Sequence, residues 1–196
     1  MRDKSQIVHG IGASPGIAIG SALVMHRRTR RAARYSVSPD NIEHEVRRFG
    51  NAIMQGEQEL LTLRGELADN LADALSIIDG HILMIRDRMI VERTIDIIRE
   101  EKINAEWALA RSLEMIAERF AAIADPYISD RYNDVKHVAD RVFGILAGRD
   151  SDILDHDQGQ VVLIAHDFSP ADTMRMRPGK VLGFIAESGG VTSHTA

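Results

Sequence analysis

Gly189-Gly190-Val191-Thr192-Ser193-His194-Thr195-Ala196 is the stretch of this sequence whose residue types point most directly to chemistry. A histidine set among hydroxyl residues, just after a Gly-Gly pair and an apolar run, reads as a nucleophile presented on a turn. A neutral imidazole, with an unperturbed pKa of about 6.5, is a competent nucleophile near neutral pH. Attack on phosphorus requires the ring to be held in one tautomer, with donors around the transferred oxygens. Thr192, Ser193 and Thr195 supply hydroxyls, and a helix beginning near Thr192 would add free N–H groups that favour an anion. Gly189 and Gly190 let the backbone approach closely. The same spacing also suits a histidine on a capped turn with no chemistry, so on these residues alone both readings stay open.

A second candidate lies over a hundred positions earlier. Asp69, Asp73, Asp79 and Asp87 give the stretch around His81 an acidic side, while Leu83 and Met84 form a small apolar patch. Together they suit protein docking steered by charge, or else an ordinary solvated helix face. A third candidate is the run His26 to Arg34, with arginine at 27, 28, 30, 31 and 34. It invites a nucleic-acid reading. It has no aromatic platform and belongs to a protein of net charge -5, so a solvated linker is the favoured reading and no nucleic-acid partner is expected. The histidines at 9, 26, 44, 81, 137, 156, 166 and 194 are scattered without the paired spacing of a zinc site, and no metal or other cofactor is expected in this chain.

Three textures must position these residues. From Ile7 to Met25 the chain is rich in glycine and β-branched residues and predicts two short strands around a Ser14-Pro15-Gly16 turn. From about Ser38 to Gly148, apolar residues recur in alternating steps of four and three. Stripes run Ile42, Val46, Phe49, Ile53, Leu60, Leu63, Leu67, then Leu71, Leu75, Ile78, Ile82, Ile85, Met89. Two more run Leu109, Leu113, Ile116, Phe120, Ile123 and Ile128, Tyr132, Val135, Ala139, Val142, Leu146. Each stripe must bury one helix face, and four or five such helices pack as an antiparallel bundle. From Gln160 the strand texture returns as Val161–Ala165, then a short helix opened by Ser169-Pro170, then Val181–Ala186. Neither end has enough strands for its own domain. The expected solution is one discontinuous α/β domain, 1–34 with 149–196, and an inserted all-α bundle at 35–148. With 196 residues, 44% hydrophobic and 27% charged, no cysteine, no span and no signal-like start, the composition fits a cytoplasmic globular protein without membrane attachment.

GGVTSHTA resembles the active-site signature of phosphoenolpyruvate-dependent phosphotransferases, the Enzyme I family. Other landmarks follow in family order across nearly the whole chain. Ile11-Gly12-Ala13-Ser14-Pro15-Gly16-Ile17-Ala18-Ile19-Gly20 resembles the amino-terminal segment, and Gly80-His81-Ile82-Leu83-Met84 the helical one. Tyr127 to Val142, with Arg131, Asp134 and Asp140, resembles a further helix, and Asp167-Phe168-Ser169-Pro170-Ala171-Asp172-Thr173 the family turn. The resemblance implies a phosphohistidine swivelling domain with a helical insert that docks the phosphocarrier HPr. His194 would take phosphate from phosphoenolpyruvate and relay it to a histidine of HPr. Ser169 would fix the imidazole, or simply cap the Pro170 helix, or both; Gly189, Gly190, Thr192 and Ser193 would surround the phosphate.

Docking is assigned to Asp73, His81, Leu83, Met84, Asp87 and Arg131. Val191 stands where the family often has arginine, Ser169 where it often has threonine, and Ala72 and Met89 where relatives are often acidic. The resemblance further implies that the swivelling domain continues past Ala196. Phosphoenolpyruvate and magnesium would bind in a carboxy-terminal barrel outside this chain. The full-length protein would be a homodimer and this piece a monomer. Alternatives are an HPr-docking module without turnover, or a fragment of a pyruvate phosphate dikinase or phosphoenolpyruvate synthase. The sugar-transport and nitrogen-regulatory branches are not distinguished.

Overall fold

The structure, a computed structural model, describes residues 7–25, 34–67, 72–121, 126–148, 160–176 and 179–188, with side chains at all of these except 73, 126–131 and 175. The chain divides into two compact units, 28–156 and the combination of 1–27 with 157–196.

The larger unit is helical. A single 3-10 turn, Pro39–Asn41, leads into α1, Ile42–Glu66, which is followed by α2, Ala72–Ile85, α3, Arg88–Glu101, α4, Ala105–Ala121, and α5, Pro126–Leu146. Proline at the first position of α5 loses no hydrogen bond, because that N–H has no partner within the helix. Phe49 and Leu60 of α1, Ile78 and Ile85 of α2, Ile97 and Ile98 of α3, Leu109 of α4 and Val138 and Val142 of α5 are fully buried. Their spacing is the 3.6-residue period that puts one stripe per helix into a shared core. Gly56 sits where α1 packs close against its neighbours: a Cβ there would lie 2.8 Å from Ile85 Cδ1 and 3.2 Å from Ile145 Cδ1.

One helical feature departs from the sequence expectation. The apolar stripe that runs on to Met89 is broken, because Asp87 leaves the helix (φ -61°, ψ 132°) and its carboxylate accepts the Met89 N–H at 2.7 Å. An aspartate cap offers the backbone an alternative to continuing the helix, so one expected helix becomes two. The α3 helix that follows ends at Lys102, which adopts φ 54° and donates its N–H to Ile98 O.

The smaller unit holds a parallel three-stranded sheet in the order β1-β2-β3, with β1 at Ser21–Met25, β2 at Val161–Ala165 and β3 at Val181–Ala186. The short helix α6, Pro170–Arg175, links β2 to β3. Along β2, Val161, Leu163 and Ala165 are buried and alternate with half-buried neighbours, as the period of two requires. Phe168 and Phe184 pack edge to face at 5.4 Å.

Only Ser21–Met25 of the amino-terminal texture is a strand; the expected pair around Pro15-Gly16 is not formed. Ile7, Val8, Ile11, Ile17 and Ile19 are each more than four-fifths exposed. A strand needs a partner for its backbone groups, and the described strands pair only with one another. The last residue before β1 is tightly seated, however. A Cβ on Gly20 would lie 3.1 Å from Leu182 Cδ1 and 3.2 Å from Gln160 O, so the backbone passes where a side chain has no room.

Candidate functional site

Among the described residues of the smaller unit, the carboxyl ends of β2 and β3 bring together His166, Glu187 and Ser188. Ligands of parallel α/β sheets gather at this edge. Glu187 N–H donates to Ala165 O at 3.1 Å and Ser188 N–H to His166 O at 2.8 Å, so the ladder carries the chain past the end of β3 in register with the end of β2. His166 Nδ1 lies 2.9 Å from Glu187 Oε2, both side chains being well exposed, and Ser188 Oγ donates to His166 O at 3.1 Å.

Ser169 follows three residues later as the N-cap of α6, 6% exposed. Its Oγ accepts the Asp172 N–H at 3.2 Å and donates to Asp172 Oδ2 at 2.7 Å, while its own N–H donates to the same oxygen at 2.9 Å. This reciprocal box satisfies two backbone donors that a helix start leaves unpaired. A serine hydroxyl has one proton and two lone pairs. The proton and one lone pair are spent on Asp172, so one lone pair of Ser169 Oγ is left over from the box.

His194, Thr192, Ser193, Gly189 and Gly190 lie outside the described residues. So does the run 26–33. Arg34 is described, and its guanidinium sits 5.8 Å from the centre of the Trp107 ring, a packing role within the bundle.

Of the residues assigned to docking, those with described side chains differ in exposure. Leu83 is 75% exposed and Asp87 is exposed, Met84 is half-buried, and the side chains of Asp73 and Arg131 are outside the described set. His81 is an interior residue instead: it is 3% exposed, and its Nε2 lies 3.8 Å from Asp134 Oδ1 with no hydrogen-bond partner. The α2 period explains this, because residue 81 follows Ile78 by three and precedes Ile85 by four on the core stripe. Of the four acids, the two with described side chains are both engaged. Asp87 is spent on its cap, and Asp79 accepts from Arg64, Nε to Oδ1 at 2.5 Å. That guanidinium holds the Asp79 carboxyl below the usual carboxylate range.

Sequence reasoning also passed over a polar cluster within the bundle. Arg48 of α1 donates to Glu45 Oε2 at 2.9 Å, to Glu106 Oε1 and Oε2 at 2.9 and 2.5 Å, and to Leu146 O at 3.2 Å. Glu45, itself buried, accepts the Ala105 N–H at 2.9 Å and so caps α4 from α1. Tyr35 and Asn104 exchange two hydrogen bonds of 3.2 Å beside it. Burial pushes the Glu106 carboxyl up, but hydrogen bonds from Arg48, its own backbone and Asn104 outweigh it and hold the group below its ordinary value. Glu106 and Glu45 in turn raise the Arg48 guanidinium against the opposing effect of burial. Among the described residues no three His, Asp or Glu side chains converge as a metal ligand set, and no helix is long and apolar enough to cross a membrane.

The family model of PEP-utilising enzymes, N-terminal, matches residues 9–131, and that of their mobile domain matches residues 157–196. The chain belongs to the PEP-utilising enzymes. Its relatives in that family include the phosphoenolpyruvate-protein phosphotransferases of Haemophilus influenzae, 30% identical over 97% of this chain, and of Cupriavidus necator, 32% identical over 96%. That of Listeria innocua is 33% identical over 95%. This chain spans about a third of each: 33%, 34% and 32% of their lengths. The NMR solution structure of Enzyme I (nEIt) superposes with a TM-score of 0.75 at 29% identity, covering 93% of this chain and 74% of that one. A second structure, the N-terminal domain of "Enzyme 1 - Nitrogen", shares the fold at a TM-score of 0.65 and 20% identity. The discontinuous α/β swivelling domain with an inserted helical bundle is therefore the fold of this family member.

Proposed function

We propose that this chain is the phosphoryl-carrying part of an Enzyme I-type phosphotransferase, with His194 as the carrier. Membership of the PEP-utilising enzymes, with the mobile-domain match running through residue 194, is the observation that carries the reading. A neutral imidazole nitrogen of His194 attacks phosphorus and the bond from phosphorus to the enol oxygen of phosphoenolpyruvate breaks. The enolate leaves and is protonated to pyruvate. A histidine of a small HPr-type phosphocarrier then attacks the phosphohistidine, and His194 returns to its neutral form. Residues 1–34 and 149–196 are the carrying domain on this reading, and 35–148 the docking domain. Phosphoenolpyruvate and its magnesium would be held by the part of such proteins that this chain does not span.

Ser169 has a specific place in the proposal. Its proton goes to Asp172, so it meets the imidazole as an acceptor and takes one ring N–H on its remaining lone pair. That would fix the tautomer and leave the other nitrogen with its lone pair free for phosphorus. Incubation with a phosphorylated HPr-type carrier should place an acid-labile phosphoryl group on the chain, and His194→Ala should take none. Label retained by that variant would sink the assignment.

A further inference from the structure

The His166–Glu187 pair at the carboxyl edge of the sheet contributes little to the fold. Both side chains are well exposed, at 62% and 74%, and an ion pair in water adds little stability. The backbone beneath the pair is held firmly instead. The His166 carbonyl accepts both the Ser188 N–H at 2.8 Å and the Ser188 hydroxyl at 3.1 Å. Residue 166 is thereby fixed to the residue from which Gly189 to His194 continue, and that length of chain reaches about 20 Å at most. Glu187 occupies Nδ1 of the ring, and no described residue bonds to Nε2.

The edge is otherwise acidic. Asp167 follows His166 directly, Asp172 stands in the α6 box and Glu187 follows β3, while β1, on the other side of β2, carries no charged residue. Lys180 precedes β3 and belongs to the opposite edge. Among the described side chains of the elements that form the carboxyl edge, His166 is therefore the one that can carry positive charge.

We infer that His166 is a second histidine of the phosphoryl site, which takes up a proton as the phosphoryl group arrives on His194 and donates Nε2–H to a phosphoryl oxygen. A neutral ring that donates Nδ1–H to Glu187 turns a lone pair outward at Nε2 and repels such an oxygen; the protonated ring donates at both nitrogens. The proton comes from solvent, and only the N–H bond forms on His166. Phosphoryl transfer is governed by positioning and by the charge set around the transferred oxygens, so a cation here offsets the repulsion of the neighbouring carboxylates. Glu187 keeps the ring turned the right way. This rests on the reading that His194 carries the phosphoryl group.

The test is quench-flow measurement of phosphoryl transfer from a phosphorylated HPr-type carrier to the chain, between about pH 6 and about pH 8.5. At the acid end His166→Ala should slow transfer about tenfold or more, the effect of losing a donor to the transferred oxygens. The KM for the carrier should stay within about twofold, because the loss falls on the chemical step. His166→Arg, with its permanent charge, should recover the rate to within about threefold of the parent. The ratio of parent to His166→Arg rates should fall as pH rises, since the titrations of His194 and of the carrier's histidine are common to both and cancel. Equal rates in His166→Ala and the parent, His166→Arg as slow as His166→Ala, or a ratio that does not change with pH each overturn the inference and leave His194 in place as the carrier. A parent chain that takes no phosphoryl group, or a His194→Ala variant that takes one, overturns the carrier reading and the inference with it.

Discussion

The bundle contains two sets of arginine–carboxylate pairs that use the same chemistry in opposite surroundings. At one, Arg48, Glu45 and Glu106 are largely enclosed and their spare hydrogen-bonding capacity is taken by the Ala105 N–H, the Leu146 carbonyl and Asn104. At the other, Arg64 and Asp79 are each about half exposed, at 48% and 47% of their side-chain surface. Water can replace either partner of the exposed pair at little cost, but not the guanidinium that bridges two enclosed carboxylates. The enclosed cluster therefore holds the fold, tying the start of α4 and the end of α5 to α1. The exposed pairs shape a surface.

The largest expected effect follows from removing Arg48. Arg48→Ala leaves Glu45 and Glu106 enclosed without a cation and should cost about 3 kcal/mol of stability, measured by urea unfolding. A loss of under about 1 kcal/mol would mean that the cluster is no more structural than the surface pairs.

Acidification should sharpen the same contrast. The Glu106 carboxyl is held below its ordinary value in the folded protein, so its stabilising contribution is complete above the unfolded pKa of about 4.3 and is lost as pH falls through the folded value. Unfolding followed from pH 7 downward should show that loss in the parent chain and not in Glu106→Gln. A Glu106→Gln variant with the same acid profile as its parent would assign the effect to other carboxylates. The smallest effect belongs to the exposed pair: Arg64→Ala should leave the thermal midpoint unchanged within error, and a clear drop would erase the distinction between the two sites.

Periodicity made α1, α4 and α5 legible, because a residue every three or four positions is all a helix needs in order to show its buried face. The Ser169-Pro170-Ala171-Asp172 start of α6 was legible for a similar reason, since an N-cap and its box partner are three residues apart. Residues 7–20 were misread as strands because Ile, Val and Gly declare a preference for extended backbone but not a partner to pair with. No separate stripe was read across α3, because the cap that starts it, the Asp87 carboxylate on the Met89 N–H, interrupts an apolar run without breaking its spacing. His81 was assigned to docking, with core and surface placements both open on its motif, and the α2 stripe puts it inside.

The sequence by itself determined the helix faces, the β2-α6-β3 succession, the split of the α/β residues to the two ends of the chain and the string around His194 that resembles the Enzyme I family. Local order is written in short spacings, and a motif is a short spacing too. Tertiary structure alone decided which charges are neutralised. Arg48 finds Glu106 58 residues away and Arg64 finds Asp79 15 residues away. Pairing across such separations depends on how helices pack, and it settles whether a carboxylate is a free charge, a cap or half of a buried bond.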